Sequence, residues 1–374
     1  MMNEMQQEAG DNSKQMQLKN CPINIVNGID EKRAREICDE KITALRQELT
    51  LEAYHKATER VQNFDNYLIS RMQKIEDSFQ AFAEPAFHFL LQEAQRSAAQ
   101  TDNPANYELL SELLLKRINN GDNHLNENAA IKKAVQIVNE ISDDSLMALS
   151  MSLAMRRYKK FGSIRGSLNF LNDSLKKFFY RPLPSPTNNE WIDNLETVGA
   201  VRISSIGKLH KFETIYSNLM PGYCVAGIRK NSDTYEEVLT MLEKFQLPKS
   251  ILYTNELNEN YVYLPVSSER EIEELSFTAS TPIGTPPILG TLKRYLTEEQ
   301  KKVLHKIFLM YDKDSKLLDS VKENFNKEIR SRENLRTVQD WWNNIPIAFE
   351  LTSVGRTLAY ANLKRLEPTL PDWK

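Results

Sequence analysis

The sequence predicts a mainly α fold: a helical bundle with a long N-terminal helix, short N-terminal strands, and two winged-helix-like modules with small β-hairpins. Three observations carry this expectation. The 374 residues hold only 12 Gly and 15 Pro, which favours long helices over a turn-dense β-architecture. Residues 31–83 contain neither Gly nor Pro, and their apolar positions recur at helical spacing. The third observation is a pattern written twice. In residues 191–212, WIDNLETVGAVRISSIGKLHKF, an amphipathic helix end runs into Gly199, a β-rich run from Ala200 to Ile203, and a turn. Residues 349–362 repeat it as FELTSVG followed by RTLAYAN. Helix, short hairpin and capped helix is the usual ending of a winged-helix module.

Taken in order, the chain divides into five segments. Residues 1–29 form a short strand-forming oligomerisation segment: Met16 and Leu18, then Ile23 and Ile25, alternate with polar residues. Strands this small bury too little surface to stand alone, so they need the rest of the fold or neighbouring copies. Residues 30–100 read as a long helix or coiled coil. Asp30 is a fair N-cap, and Val61, Phe64, Leu68, Met72, Ile75, Phe79 and Phe82 lie in near-heptad register. That seam suits either self-association or one face of an intramolecular bundle. Residues 101–182 continue as short amphipathic helices of a bundle. Residues 183–280 form the first winged-helix-like α+β module, with a strand at 261–266 and an acidic helix start at 269–274. Residues 281–374 open on the Pro/Gly-rich linker TPIGTPPILG, continue through a Thr297-capped helix and the Trp341-Trp342 pair, and end in the second hairpin pattern.

Composition narrows the compartment and the partners. A hydrophobic content of 41% is enough for a soluble globular core, and no apolar stretch reaches the roughly 18–20 residues that span a bilayer. Cys21, Cys38 and Cys224 are odd in number and far apart, which reads as reduced thiols rather than a disulfide framework. The polar N-terminus lacks the apolar core of a signal peptide. A cytoplasmic protein is expected. The formal net charge of -3 exerts no global pull on nucleic acid, so any such attraction must be local.

Residues 156–181 supply the one local candidate. Eight cations (Arg156, Arg157, Lys159, Lys160, Arg165, Lys176, Lys177 and Arg181) face the single carboxylate Asp173, with aromatic residues interleaved. Positive charges can pair with phosphates and rings can stack on bases. Equally, the rings can be core and the cations a wet helix face, or partners for an acidic run such as 269–274. With Arg202, Lys208 and Lys211 on the first hairpin, the candidate contacts for nucleic acid or an acidic partner are Arg156, Arg157, Lys159, Lys160, Arg165, Lys176, Lys177, Arg202, Lys208 and Lys211. No phosphate-cradling Gly-rich loop, nucleophile elbow or spaced His/Cys set accompanies them. No catalytic residue, metal or cofactor is therefore expected.

Residues 7–29, QEAGDNSKQMQLKNCPINIVNGI, resemble the opening of an uncharacterised bacterial family with an N-terminal Gly-Asp-Asn-Ser segment and a following Ala-x-Glu-Ile signature, here Ala34 to Ile37. The resemblance continues at residues 113–118, 129–149, 195–209 and 351–365. The C-terminal Leu-Thr-x-x-Gly module, Leu351 to Gly355, is also similar to the end of alpha-type abortive-infection proteins of bacteria. The resemblance implies a bacterial cytoplasmic protein in phage defence and carries over no catalytic residues. The leading expectation is a non-enzymatic, self-associating defence protein: a homo-oligomer that touches another defence-system protein or a phage component. The alternative is a nucleic-acid-binding winged-helix regulator.

Overall fold

The computed structural model describes residues 29–44, 50–121, 124–157, 162–283 and 288–371, with side chains at 42–44 and 277–293 left aside. The expected N-terminal strands lie outside the described residues. The chain runs α1 (Glu31–Ala44), α2 (Leu51–Met72), α3 (Pro85–Ala99), α4 (Pro104–Asn120), α5 (Leu125–Ile137), α6 (Asp143–Arg157), α7 (Ile164–Phe178) and α8 (Glu190–Thr197). It continues through β1 (Val201–Ser204), α9 (Phe212–Leu219), β2 (Ile228–Arg229), α10 (Asp233–Lys244), β3 (Tyr253–Thr254), β4 (Tyr261–Tyr263), β5 (Ser276–Ile283) and β6 (Ile288–Tyr295). It ends with α11 (Glu298–Leu309), α12 (Ser315–Arg330), α13 (Glu333–Asn343), β7 (Ala348–Leu351) and α14 (Ser353–Leu366). The fold is mainly helical, as expected. Nearly all of the described buried apolar side chains join in one cluster that runs from Ala34 to Leu370.

The uninterrupted helix expected over residues 31–83 is divided. Thr50 starts α2 by accepting the Ala53 amide, and α2 stops at Met72. Asp77 then takes a left-handed φ of 56°, and Ser78 donates to the Met72 carbonyl at 2.7 Å. That bond satisfies one of the carbonyls a helix end leaves open. Residues Ser78–Ala83 follow as a 3₁₀ turn that folds Phe82 back edge-on to Phe87, with centroids 5.3 Å apart. Val61, Phe64, Leu68 and Met72 are all buried, and α2 packs against α3 and α4 of the same chain. The near-heptad seam is thus a bundle face.

A second difference concerns the twice-written pattern. Neither copy closes a hairpin of its own. β1 pairs antiparallel with β7, with Val201 opposite Leu351, Arg202 opposite Glu350 and Ile203 opposite Phe349. The reason is local: after β1 the chain turns through Gly207, at φ 105°, toward α9, and after β7 it enters α14 at once. Each four-residue strand lacks an adjacent partner, and the two are complementary in alternation. Val201, Phe349 and Leu351 face inward, while Arg202 and Glu350 occupy opposed, exposed positions. Below the sheet, Trp191 meets Phe349 edge-on at 5.9 Å and Trp341 at 6.0 Å, while Trp342 packs on Phe349 at 5.9 Å. Both indoles of the Trp pair are buried. Trp341 donates to the Pro184 carbonyl and Trp342 to the His210 carbonyl.

The linker expected at residues 281–290 also differs. Thr281, Pro282 and Ile283 belong to β5 and pair with Gly290, Leu289 and Ile288 of β6. A two-stranded ribbon has two free edges, so Pro282 is accommodated without breaking an internal ladder. The acidic run Glu269–Glu274 is a 3₁₀ turn, with Ile272 and Glu271 buried and Glu271 accepting the Ser267 amide at 2.7 Å. The remaining strands form a small sheet in the order β2-β4-β3.

The β1–β7 pairing is continued by α14. Thr352 caps this helix by accepting the Gly355 amide at 3.1 Å, and its hydroxyl donates to the Gly199 carbonyl at 2.8 Å. Gly355 itself lies against the Ala200 carbonyl, which a Cβ there would meet at 2.0 Å. No L side chain fits without moving backbone. Gly355→Ala is therefore expected to destabilise the chain by about 1–3 kcal/mol, the range for overpacking a close contact. Urea unfolding measures it, and an unchanged midpoint would remove the β1–α14 contact from the account of stability.

Candidate functional site

The eight candidate cations among the described residues do not converge on one surface. Arg156, near the end of α6, lays its guanidinium over the Trp342 ring at 5.1 Å from the centroid. Burial lowers its pKa against the opposing pull of Glu350, so this cation serves the aromatic cluster. Arg165, in the first turn of α7, pairs with Glu328 of α12 at 2.9 Å, and its pKa is raised chiefly by the hydrogen bond to that carboxylate. Lys177 pairs with Glu367 at 2.5 Å, and Arg181 bridges Asp143 and Asp144 at 3.0 and 2.8 Å. Lys211 donates to the Asn343 carbonyl at 3.3 Å. Lys159 and Lys160 lie outside the described residues.

The interleaved aromatics divide as a wet-faced amphipathic helix requires. Phe178 is buried, and Phe170 and Phe179 are half-buried on the α7 segment. Tyr180 sits under the Arg365 guanidinium at 5.5 Å. Among the described residues, the ion pairs of Arg165, Lys177 and Arg181 go to Glu328, Glu367, Asp143 and Asp144. Glu269 and Glu273 instead hold His305 of α11 through Nδ1 and Nε2, each at 3.0 Å. Of the remaining candidates, Lys176 is exposed beside the Pro182–Pro186 connector, and Arg202 and Lys208 are exposed on and beyond β1. Arg157 lines a recess with Lys116 and Arg356.

Sequence reasoning missed Lys116 and Arg356. The readable signal was on α14, where Ser353, Arg356, Thr357 and Tyr360 fall at helical i, i+3, i+4 and i+7 spacing and so share a face. Arg356 is fixed by donating to the Leu351 carbonyl at 2.7 Å and to the Ser353 hydroxyl at 3.1 Å.

Fold and geometry thus define a mainly helical protein in which Arg165, Lys177 and Arg181 of the basic segment are paired within the chain. A family model whose description reads ":-like" matches residues 28–373, and the chain belongs to that family. The match starts after nearly all of the N-terminal segment expected to drive assembly. No curated protein matches the chain, and no solved structure matches it.

One buried carboxylate stands apart from the basic segment. Asp65 of α2 is 6% exposed and accepts both of its hydrogen bonds from Gln95 Nε2, at 3.1 and 3.0 Å. Burial pushes its pKa up to about 7, against the lowering effect of Gln95 and with a small raising effect from Asp39. Because the folded pKa lies above the unfolded value, the folded state holds the extra proton between the two. Stability therefore falls as pH rises from about 4 toward 7 and levels off above that. Asp65→Asn removes this penalty. It is expected to be more stable than the parent at pH 8, on the order of a few kcal/mol at about 1.4 kcal/mol per unit, with the gap narrowing toward pH 5. Urea midpoints of both chains at the two pH values check this, and a constant gap would rule Asp65 out.

Proposed function

We propose that this chain is a non-enzymatic, self-associating protein of the bacterial cytoplasm that acts through protein–protein contacts in phage defence. The observation that carries the contact reading is the loop after β1. Ile206 stands 87% exposed at its tip, the Ser204 hydroxyl donates to its carbonyl at 2.6 Å, and the β1–β7 sheet anchors the loop. A large apolar side chain held outward on an ordered support is a contact point. The internal pairing of Arg165, Lys177 and Arg181 supports protein contact over phosphate contact. The defence setting rests on the similarity of Leu351 to Gly355 to the ending of alpha-type abortive-infection proteins.

The full chain is expected to show a multiple of its own mass by light scattering. Ile206→Asp should shift it toward the monomer and weaken any lowering of phage plating in cells that make the chain. A chain beginning at Gly28 with unchanged mass would assign assembly to the loop; one that falls to monomer would assign it to residues 1–27. A monomeric full chain overturns self-association, and plating unaffected by the parent chain overturns the defence role.

Nucleic-acid binding is the second reading, favoured by Arg202 on β1 and Lys208 in the loop that follows, both exposed. It predicts that duplex DNA is retarded at low salt and that Arg202→Glu with Lys208→Glu flattens the salt dependence. No retardation of duplex or single strands at low salt eliminates it.

A further inference from the structure

A recess lies between α4, α5, α6 and α14. It encloses about 310 Å³ and draws its cations from three helices: Lys116 from α4, Arg157 from α6 and Arg356 from α14. Among the described residues Glu127 is the one carboxylate on its wall, and Asn120 donates to that side chain at 3.0 Å. In a chain of net charge -3, three cations gathered around one concavity form a local field of the opposite sign.

The walls say more about the anion. Ser353 and Thr357 place hydroxyls on the same face of α14 as Arg356, so donors approach from several directions. Arg356 uses two N–H groups on Leu351 and Ser353, which fixes the plane of its fork and leaves others for a ligand. Lys116 holds its ammonium 4.4 Å from the centroid of the Tyr360 ring, so its position too is set by the fold. Tetrahedral, doubly charged phosphate suits this set better than a planar carboxylate, which needs only one fork. Ala130, Leu153 and Tyr360 supply an apolar side to the recess, all of them buried. The volume lies at the lower end of small-molecule pockets. We propose that the recess binds the phosphate group of a small phosphomonoester, with the organic part against Leu153 and Tyr360. This stands apart from the self-association reading and survives its failure.

Titration calorimetry on the full chain at low salt tests the proposal with three probes: inorganic phosphate, adenosine 5′-monophosphate and adenosine. Both phosphate-bearing probes are expected to bind saturably and adenosine not at all. Arg157→Gln and, separately, Lys116→Gln should each weaken binding at least tenfold while ligand-free melting stays unchanged. The monophosphate binding more tightly than phosphate identifies an ester as the ligand class. Equal affinities identify the free anion and overturn the ester part. Absence of binding by both phosphate-bearing probes up to about 10 mM overturns the site. So does binding that neither substitution weakens, or adenosine binding as well as its monophosphate.

Discussion

The structure depends on one close approach, between the backbone of Ala200 and the start of α14. Gly355 permits it, since any Cβ would collide with the Ala200 carbonyl. Thr352 then bonds both ways, capping its own helix and holding the end of α8 through Gly199. Beside this contact β1 and β7 lie in register, and Trp191, Trp341, Trp342 and Phe349 pack on one another. The helix that begins there packs on α4, α5 and α6. A short sheet between distant parts of the chain thereby sets where the last helix enters the bundle.

That geometry also explains the fate of the basic segment. α6 ends beside the aromatic cluster, so Arg156 is drawn onto Trp342 while Arg157, one residue on and about 100° around the helix, faces the recess instead. α7 lies against α12 and α13, which brings Arg165 to Glu328. Such half-exposed pairs contribute little stability one by one. Their effect on function is larger, because a cation already facing a carboxylate offers less to an external phosphate. Clustering in sequence is therefore a poor guide to clustering in space. Neighbouring positions on a helix diverge, whereas Lys116, Arg157 and Arg356 meet from three helices.

Helical content was legible in the sequence because it is a local property: breaker-free runs, caps such as Asp30 and Thr297, and apolar spacing all act within a few residues. The two four-residue strand signals were legible for the same reason, and so was the capped helix after the second, whereas the helix after the first starts without a side-chain cap. Their pairing was not. Val201 to Ser204 and Ala348 to Leu351 each read as one arm of a hairpin, and alternation alone cannot name the other arm. The break of the long helix at 73–77 was hidden in the same way, since Asp77 is not a Gly and its left-handed turn serves the return of Phe82 to Phe87. In the candidate site, the basic residues could be counted but their carboxylate partners, far away in sequence, could not be assigned.

The position of the recess follows from this construction. α14 carries Thr352 and Gly355 against the α8–β1 corner and, on a neighbouring face of the same turn, Ser353 and Arg356 toward α4, α5 and α6. Whatever occupies the recess would therefore bear on the turn that also fastens β1 to β7. The loop carrying Ile206 leaves directly from β1, so the recess and the exposed tip are joined through a single sheet and a single helix start. An anion that steadies the first turn of α14 would steady the support of that loop through contiguous backbone contacts. Coupling of this kind requires that the ligand favour one arrangement of the turn over another. Arg356 has the means, because its guanidinium grips the Leu351 carbonyl of β7 and the Ser353 hydroxyl of α14 at once.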